Sequence, residues 1–183
     1  MNRNVQKKVS ALRKQNGSSL LEIPVGIWLV IIVLFMPVLS LSIVTLRYTL
    51  FTVAVQDAVH AASKAKTFEL DNQDGKSAQT IARETFQKRI ADFSGLKQQG
   101  TFDLDILESK ITTQQQSRFE NKLQVPADST NSVYLIEAEA QGTFDPVIQM
   151  DKAVVGAIPG LSIPVLVTLR AREVFENPQG LNR

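Results

Sequence analysis

The chain has no cysteine and a single histidine, His60, among its 183 residues. Without thiols there is no disulfide framework, no thiolate metal site and no cysteine nucleophile. With one imidazole, most histidine-based nucleophile–base pairs and metal sites go as well. A lone histidine on a helix is more often packed or solvated than a ligand. There is no Gly-rich phosphate loop between a strand and a helix. Basic and aromatic residues do not interleave as an RNA-reading sheet requires. The acid pairs Asp103/Asp105 and Glu137/Glu139 alternate along strand-like segments, the pattern of a solvated face. The cluster Asp71-Asn72-Gln73-Asp74-Gly75 lacks the later acid of a calcium loop and reads as a polar turn. No catalytic residue, cofactor site or metal site emerges, and the expectation is a protein that is not an enzyme and has no small-molecule substrate.

Charge is also missing over one long stretch near the N-terminus. From Ile23 to Leu46 there are 24 positions without a charged residue. An α-helix needs about 20 residues to cross the ~30 Å hydrocarbon layer. In lipid only a helix or a closed barrel satisfies its own backbone, so one isolated run reads as one helix. Ahead of it, residues 1–17 carry Arg3, Lys7, Lys8, Arg13 and Lys14 and no acid, which leaves −3 for the rest of a chain whose net charge is +2. The body therefore has no basic patch for nucleic acid. The leader cations fit the positive-inside rule, with a cytoplasmic N-terminus and an extracytoplasmic domain. An ordinary secretory signal would have an apolar region of only 7 to 15 residues and a small-residue cleavage site, for which Ser40-Leu41-Ser42 is a poor substitute. Trp28 and the Arg47-Tyr48 pair suit the two interfaces. Pro24 falls in a first turn, where its missing N–H costs little, and Pro37 predicts a mid-span kink.

Glu22 stands at the mouth of the apolar run, just after Gly17-Ser18-Ser19. A carboxylate there is costly to insert and marks a function with a partner. A short basic leader, the small-residue junction Gly17-Ser18, an acid five positions into the product and then a membrane helix together resemble the class III signal of type IV pilins and pseudopilins. With Gly17-Ser18-Ser19-Leu20-Leu21-Glu22-Ile23, the continuation Ala54, Ala58, Ala61, Ala62 and Ala65, and a short domain ending in an Arg-rich strand, the chain resembles the TadE/TadG-type minor pseudopilins of tight-adherence pili. The resemblance is specific over residues 13–66. It departs from the family at Ile23, where an aromatic is usual, and at Pro24, which comes early. It implies cleavage between Gly17 and Ser18 by a prepilin peptidase, assembly with other pilin subunits, and a role in pilus biogenesis and surface adhesion from the inner membrane. Physical chemistry fits independently: cleavage would expose the Ser18 amine at the depth of the Glu22 carboxylate, and pairing between neighbouring subunits would neutralise both. A type II secretion pseudopilin is a close variant.

Beyond Tyr48 the helical pattern continues. Ala54, Ala58, Ala61 and Ala65 form one narrow face, with Phe51, Val55, Val59 and Ala62 beside it. One helix over residues 20 to about 66 is expected, half in lipid and half outside. Ser77 caps a second helix with Ala78, Ile81, Ala82, Phe86, Ile90 and Phe93 on one face and Gly95 as terminator. Gly100 precedes a strand in which Phe102, Leu104 and Ile106 alternate with Asp103 and Asp105. Residues 112–131 are polar and read as a hairpin loop or a frayed strand pair. A strand over 133–143 places Tyr134, Ile136, Ala138 and Ala140 on one face. Residues 147–162 are apolar but full of breakers; they cover the core or touch a partner subunit or the membrane surface. The last strand, 163–175, faces Arg170 and Arg172 outward, opposite Glu137 and Glu139 if the two strands are neighbours. The tail 176–183 reads as frayed.

The expected architecture is α+β: a basic leader (1–17), a transmembrane helix continuing as a spine (18–66), and a small domain (67–183) with a second helix and a three- or four-stranded antiparallel sheet. The expected site residues are Gly17 and Ser18 for processing, Glu22 for processing or assembly, and Ile23, Trp28, Pro37 and Leu46 along the span. The alternatives are an uncleaved single-span envelope protein with a ligand-binding or scaffolding outer domain, and a secreted domain released near Ile43.

Overall fold

The long N-terminal helix, α1, runs from Arg3 to Ser63 and passes through Pro24 and Pro37 without ending. At 1.5 Å per residue it is about 90 Å long. The computed structural model describes residues 3–70, 75–146 and 151–183, with side chains from Ile23 onward except at 154 and 155. Most of the polar turn read at 71–75 thus lies outside the described residues. Proline costs α1 one hydrogen bond at each site. The rest of the run is rich in Leu, Ile and Val.

Helix α2, Ala78–Ala91, begins where expected: the Ser77 hydroxyl accepts the Thr80 amide at 3.3 Å. It buries Ala78, Ala82 and Phe86. The helix stops before Gly95, and Gly95 then takes φ +76 to reverse the chain into the sheet. A Cβ at Gly95 would run into the Arg47 guanidinium, so glycine serves both the turn and the close approach.

Four antiparallel strands follow: β1 (Leu96–Lys110), β2 (Gln116–Phe119), β3 (Ser132–Phe144) and β4 (Val165–Val174), in the order β2-β1-β3-β4. A short helix, α3 (Lys152–Val155), lies between β3 and β4. The fold is therefore α+β, with a long apolar helix, a second helix and a four-stranded antiparallel sheet. Strand β1 starts before Gly100, not after it, and its register shifts between Gln99 and Asp103. Part of the polar stretch 112–131 forms β2, which pairs with β1 from Ile106↔Phe119 to Ser109↔Gln116.

The core lies between the inner sheet face and the two helices. Strands β1 and β3 contribute Phe102, Leu104, Ile106, Tyr134, Ile136, Ala138, Ala140 and Phe144. Helix α1 contributes Phe51, Ala54, Val55, Ala58, Val59 and Ala62. The small alanines let α1 approach closely, and Phe51 packs between α2 and one end of the sheet. Its ring lies 5.8 Å from Phe86 and 5.8 Å, edge-on, from Phe144, and Phe86 stacks on Phe102 at 4.2 Å.

The expectation of a frayed tail is not met. Leu181 is fully buried, and the amides of Phe68 and Glu69 donate to the Arg183 carbonyl at 3.2 and 3.0 Å. The Leu123 amide donates to the Leu181 carbonyl at 2.8 Å. These bonds, with that from the Glu176 amide to the Ser63 carbonyl at 3.0 Å, hold 176–183 against the end of α1, the segment after it and the 120–131 loop. One buried leucine among polar residues has no periodicity to betray it.

Candidate functional site

The expected site residues all lie on α1. Gly17, Ser18 and Glu22 fall within its described backbone, but their side chains lie outside the described set. Ser18 and Glu22 are four residues apart, about 6 Å along the axis. From Ile23 to Phe35 every side chain is exposed, Trp28 at 66%. In water such a face would cost roughly 25 cal/mol per Å² of apolar surface. Among the described residues this is the one helix long and apolar enough to cross a membrane. The chain is thus compatible with a single-pass membrane protein.

Polar side chains in and beyond the run hide their donors. The hydroxyls of Ser42, Thr45, Thr49 and Thr52 donate to the carbonyls four residues back, at 2.8, 2.9, 3.1 and 2.9 Å. This back-bonding satisfies the hydroxyl without water. Ser40 differs. It is buried, and it donates to the Gly160 carbonyl at 2.9 Å.

The domain takes hold of α1 at this level. Val44 packs against the core, Arg47 donates to the Asp145 carbonyl beside Gly95, and Phe51 is fully buried. Leu46 remains exposed on the opposite side. Arg47, expected as a marker of the interface, is in addition a clamp between α1 and the ends of two sheet connections.

No family model matches the chain, and neither curated proteins nor solved structures yield a match.

The second arrangement of interest is the outer face of the sheet. Asp103 stands opposite Glu139, and Asp105 opposite Glu137, across β1 and β3. Like charges directly opposite are unfavourable. Arginines from the flanking strands offset this: Arg172 pairs with Glu137, and Arg170 with Glu139 at 2.9 Å, as the β3–β4 register predicts. Arg118 on β2 pairs with Asp105 and reaches Glu137 at 3.3 Å. Expected on a solvated face, Glu137 is instead buried, covered by these two guanidinium groups. Arg118 comes from β2, which was hidden in a stretch with no strand periodicity, where Phe119 is the one apolar residue of the strand.

Titration follows the same contacts. The Thr101 hydroxyl, with help from Arg83, holds the Asp103 carboxyl below its usual range against a smaller opposing effect of burial. The Asn131 side chain and the Thr130 amide do the same for Asp128. The bond to Asp105 raises the Arg118 guanidinium above its ordinary value. His60 is half-exposed, its Nδ1 3.8 Å from Glu173 Oε1, in a shallow polar groove between α1 and β4. Among the described residues no group of three His, Asp or Glu side chains is placed to hold a metal. The chemistry of this face is charge neutralisation and strand register.

Proposed function

We propose that the protein is a minor pseudopilin of a tight-adherence pilus system, held in the inner membrane with its domain on the extracytoplasmic side. The observation that carries this reading is the division of α1. Its first part presents bare apolar side chains, and its second part forms the spine of the domain core, within one uninterrupted helix. A plain anchor needs a span but has no need of a rigid continuation into the fold. A subunit that packs by its helix against sister helices needs both.

In this reading a prepilin peptidase cuts between Gly17 and Ser18. The new Ser18 amine and the Glu22 carboxylate of a neighbouring subunit neutralise each other at one depth. Ile23, Trp28, Pro37 and Leu46 mark the stretch that packs in the membrane. Pilin subunits and the peptidase are the partners, and the role is structural.

The test is the N-terminal residue and mass of the protein isolated from membranes. Ser18 supports the proposal. Met1 overturns it in favour of an uncleaved envelope anchor, and a start near Ile43 overturns it in favour of a secreted domain. Glu22→Ala should leave the protein in the membrane and abolish its assembly; normal assembly removes the role given to that acid.

A further inference from the structure

Among the described side chains of α1, the first that the domain buries is Ser40. Only 17 positions, Ile23 to Leu39, precede it within the uncharged run. At 1.5 Å per residue they span about 26 Å. The hydrocarbon layer needs about 30 Å. Tilt shortens the projected length further. A bilayer that begins at Ile23 therefore reaches past Ser40, to the level where the domain already sits.

What sits there is the connection between α3 and β4. Gly160 is buried against α1 at φ +82, and a Cβ on it would lie 3.5 Å from Val44 Cγ2 and 3.6 Å from Leu41 Cδ2. Beside this seat the tip Ala157-Ile158-Pro159 is exposed, Ile158 at 42%. Leu166, at the start of β4, is 60% exposed. No charged residue occurs from Ala153 to Leu169, a run of 17.

The loop also closes its backbone on itself. The Gly156 amide donates to the Lys152 carbonyl at 2.9 Å, and the Ile158 amide to Ser162 Oγ at 2.9 Å. Ser162 Oγ donates to the Gly156 carbonyl at 2.6 Å. The amides of Leu161 and Ser162 donate to the Ile158 carbonyl at 3.1 and 2.9 Å, and that of Gly160 to the Ile163 carbonyl at 2.9 Å. The Gly160 carbonyl accepts from Ser40. A loop in water has no need of such closure, whereas irregular backbone near hydrocarbon does. Lys152, at the N-terminal end of the loop, is exposed.

We propose that residues 153–163 are a membrane-contact loop. It rests Ala157, Ile158 and Pro159 in the interfacial layer of the bilayer on the domain's side, and through the Ser40–Gly160 bond it fixes the height and rotation of the domain on α1. The proposal requires that α1 cross a bilayer and does not depend on a pilus role.

The test uses the full chain in phosphatidylcholine–phosphatidylglycerol vesicles. The chain has no native cysteine, so single cysteines at Val33, Ile158 or Ser129 each take one environment-sensitive fluorophore. Nitroxide-bearing phosphatidylcholine should quench the labels at 33 and 158 strongly, and aqueous iodide should quench only the label at 129. Gly160→Val, which unseats the loop, should turn the label at 158 from lipid-quenched to iodide-quenched. A label at 158 that behaves like the one at 129 overturns the proposal. So does protection from both quenchers, which would mean protein over the loop. If the label at 33 also escapes the lipid quencher, the span itself is wrong; if it does not, the loop alone is.

Discussion

Arg172 pairs across the sheet with Glu137, a carboxylate only 1% exposed on a face that is otherwise polar. Arg118 covers the same acid from the other side. Both arginines remain 40 to 50% exposed, 49% and 41%, so either can be rehydrated when released. The acid cannot. Arg118→Ala and Arg172→Ala should each cost about 1 kcal/mol, within the range of partly exposed pairs. Together they strand Glu137, and the double variant should exceed the sum by about 0.5–3 kcal/mol. Denaturant unfolding in detergent micelles measures the cycle. Strict additivity would mean that Glu137 finds water when its partners leave.

Phe51 touches both helices and the sheet, so its removal should be felt across the core. Phe51→Ala is expected to cost about 3–5 kcal/mol, with Phe51→Leu well below that. The same contact predicts where the domain can be cut. A fragment that starts at Arg47 should unfold cooperatively, whereas one that starts at Lys66 lacks the α1 half of the core and should bind a hydrophobic dye without a transition. A cooperative Lys66 fragment would show α1 to be dispensable.

Acid should weaken the sheet at Asp103. Its folded-state pKa lies below the unfolded one, chiefly through the Thr101 hydroxyl and then Arg83. The stabilisation is therefore present above the unfolded value of about 3.9 and disappears as pH falls through the lower folded value. Asp103→Asn should show a shallower loss of stability below pH ~4 than the wild type. The side chain is substantially exposed, so the difference should be small and should shrink with salt. Identical acid limbs would assign the loss to other carboxylates.

Leu181→Ala should cost about 2–5 kcal/mol although it lies in a polar segment. Hydrogen exchange should also speed up at Phe68, Glu69 and Leu123, whose amides donate into 181–183. Unchanged protection at all three would return the segment to the frayed state its composition suggests.

Periodicity carried most of the fold into view. Alternation in β3 and β4 put Arg170 and Arg172 on the same kind of face as Glu137 and Glu139, and the pairing of the two strands then sets them opposite one another. The length of the uncharged run was enough for a span. What stayed hidden were contacts between segments of no period: β2 inside a polar stretch, Leu181 beneath the core, and Gly160 on Ser40. The first is a four-residue strand, too short to show a period; the other two are made by one or two residues whose partner is distant in sequence, 120 positions in the last case. The junction at Gly17, Ser18 and Glu22 is different again: its side chains lie outside the described residues, and the processing and assembly roles proposed for it involve an enzyme and sister subunits outside the chain.

Leu181 is among the last pieces of the core to leave the ribosome, and Phe51 among the first. Until both are present the sheet lacks a lining at each end, so the domain should reach its final form only after its synthesis has passed that leucine. Where α1 enters a bilayer, the helix that carries Phe51 is engaged there before Leu181 emerges. In that setting maturation is ordered in time: anchoring first, closure of the domain afterwards, with a chaperone-accessible interval between them.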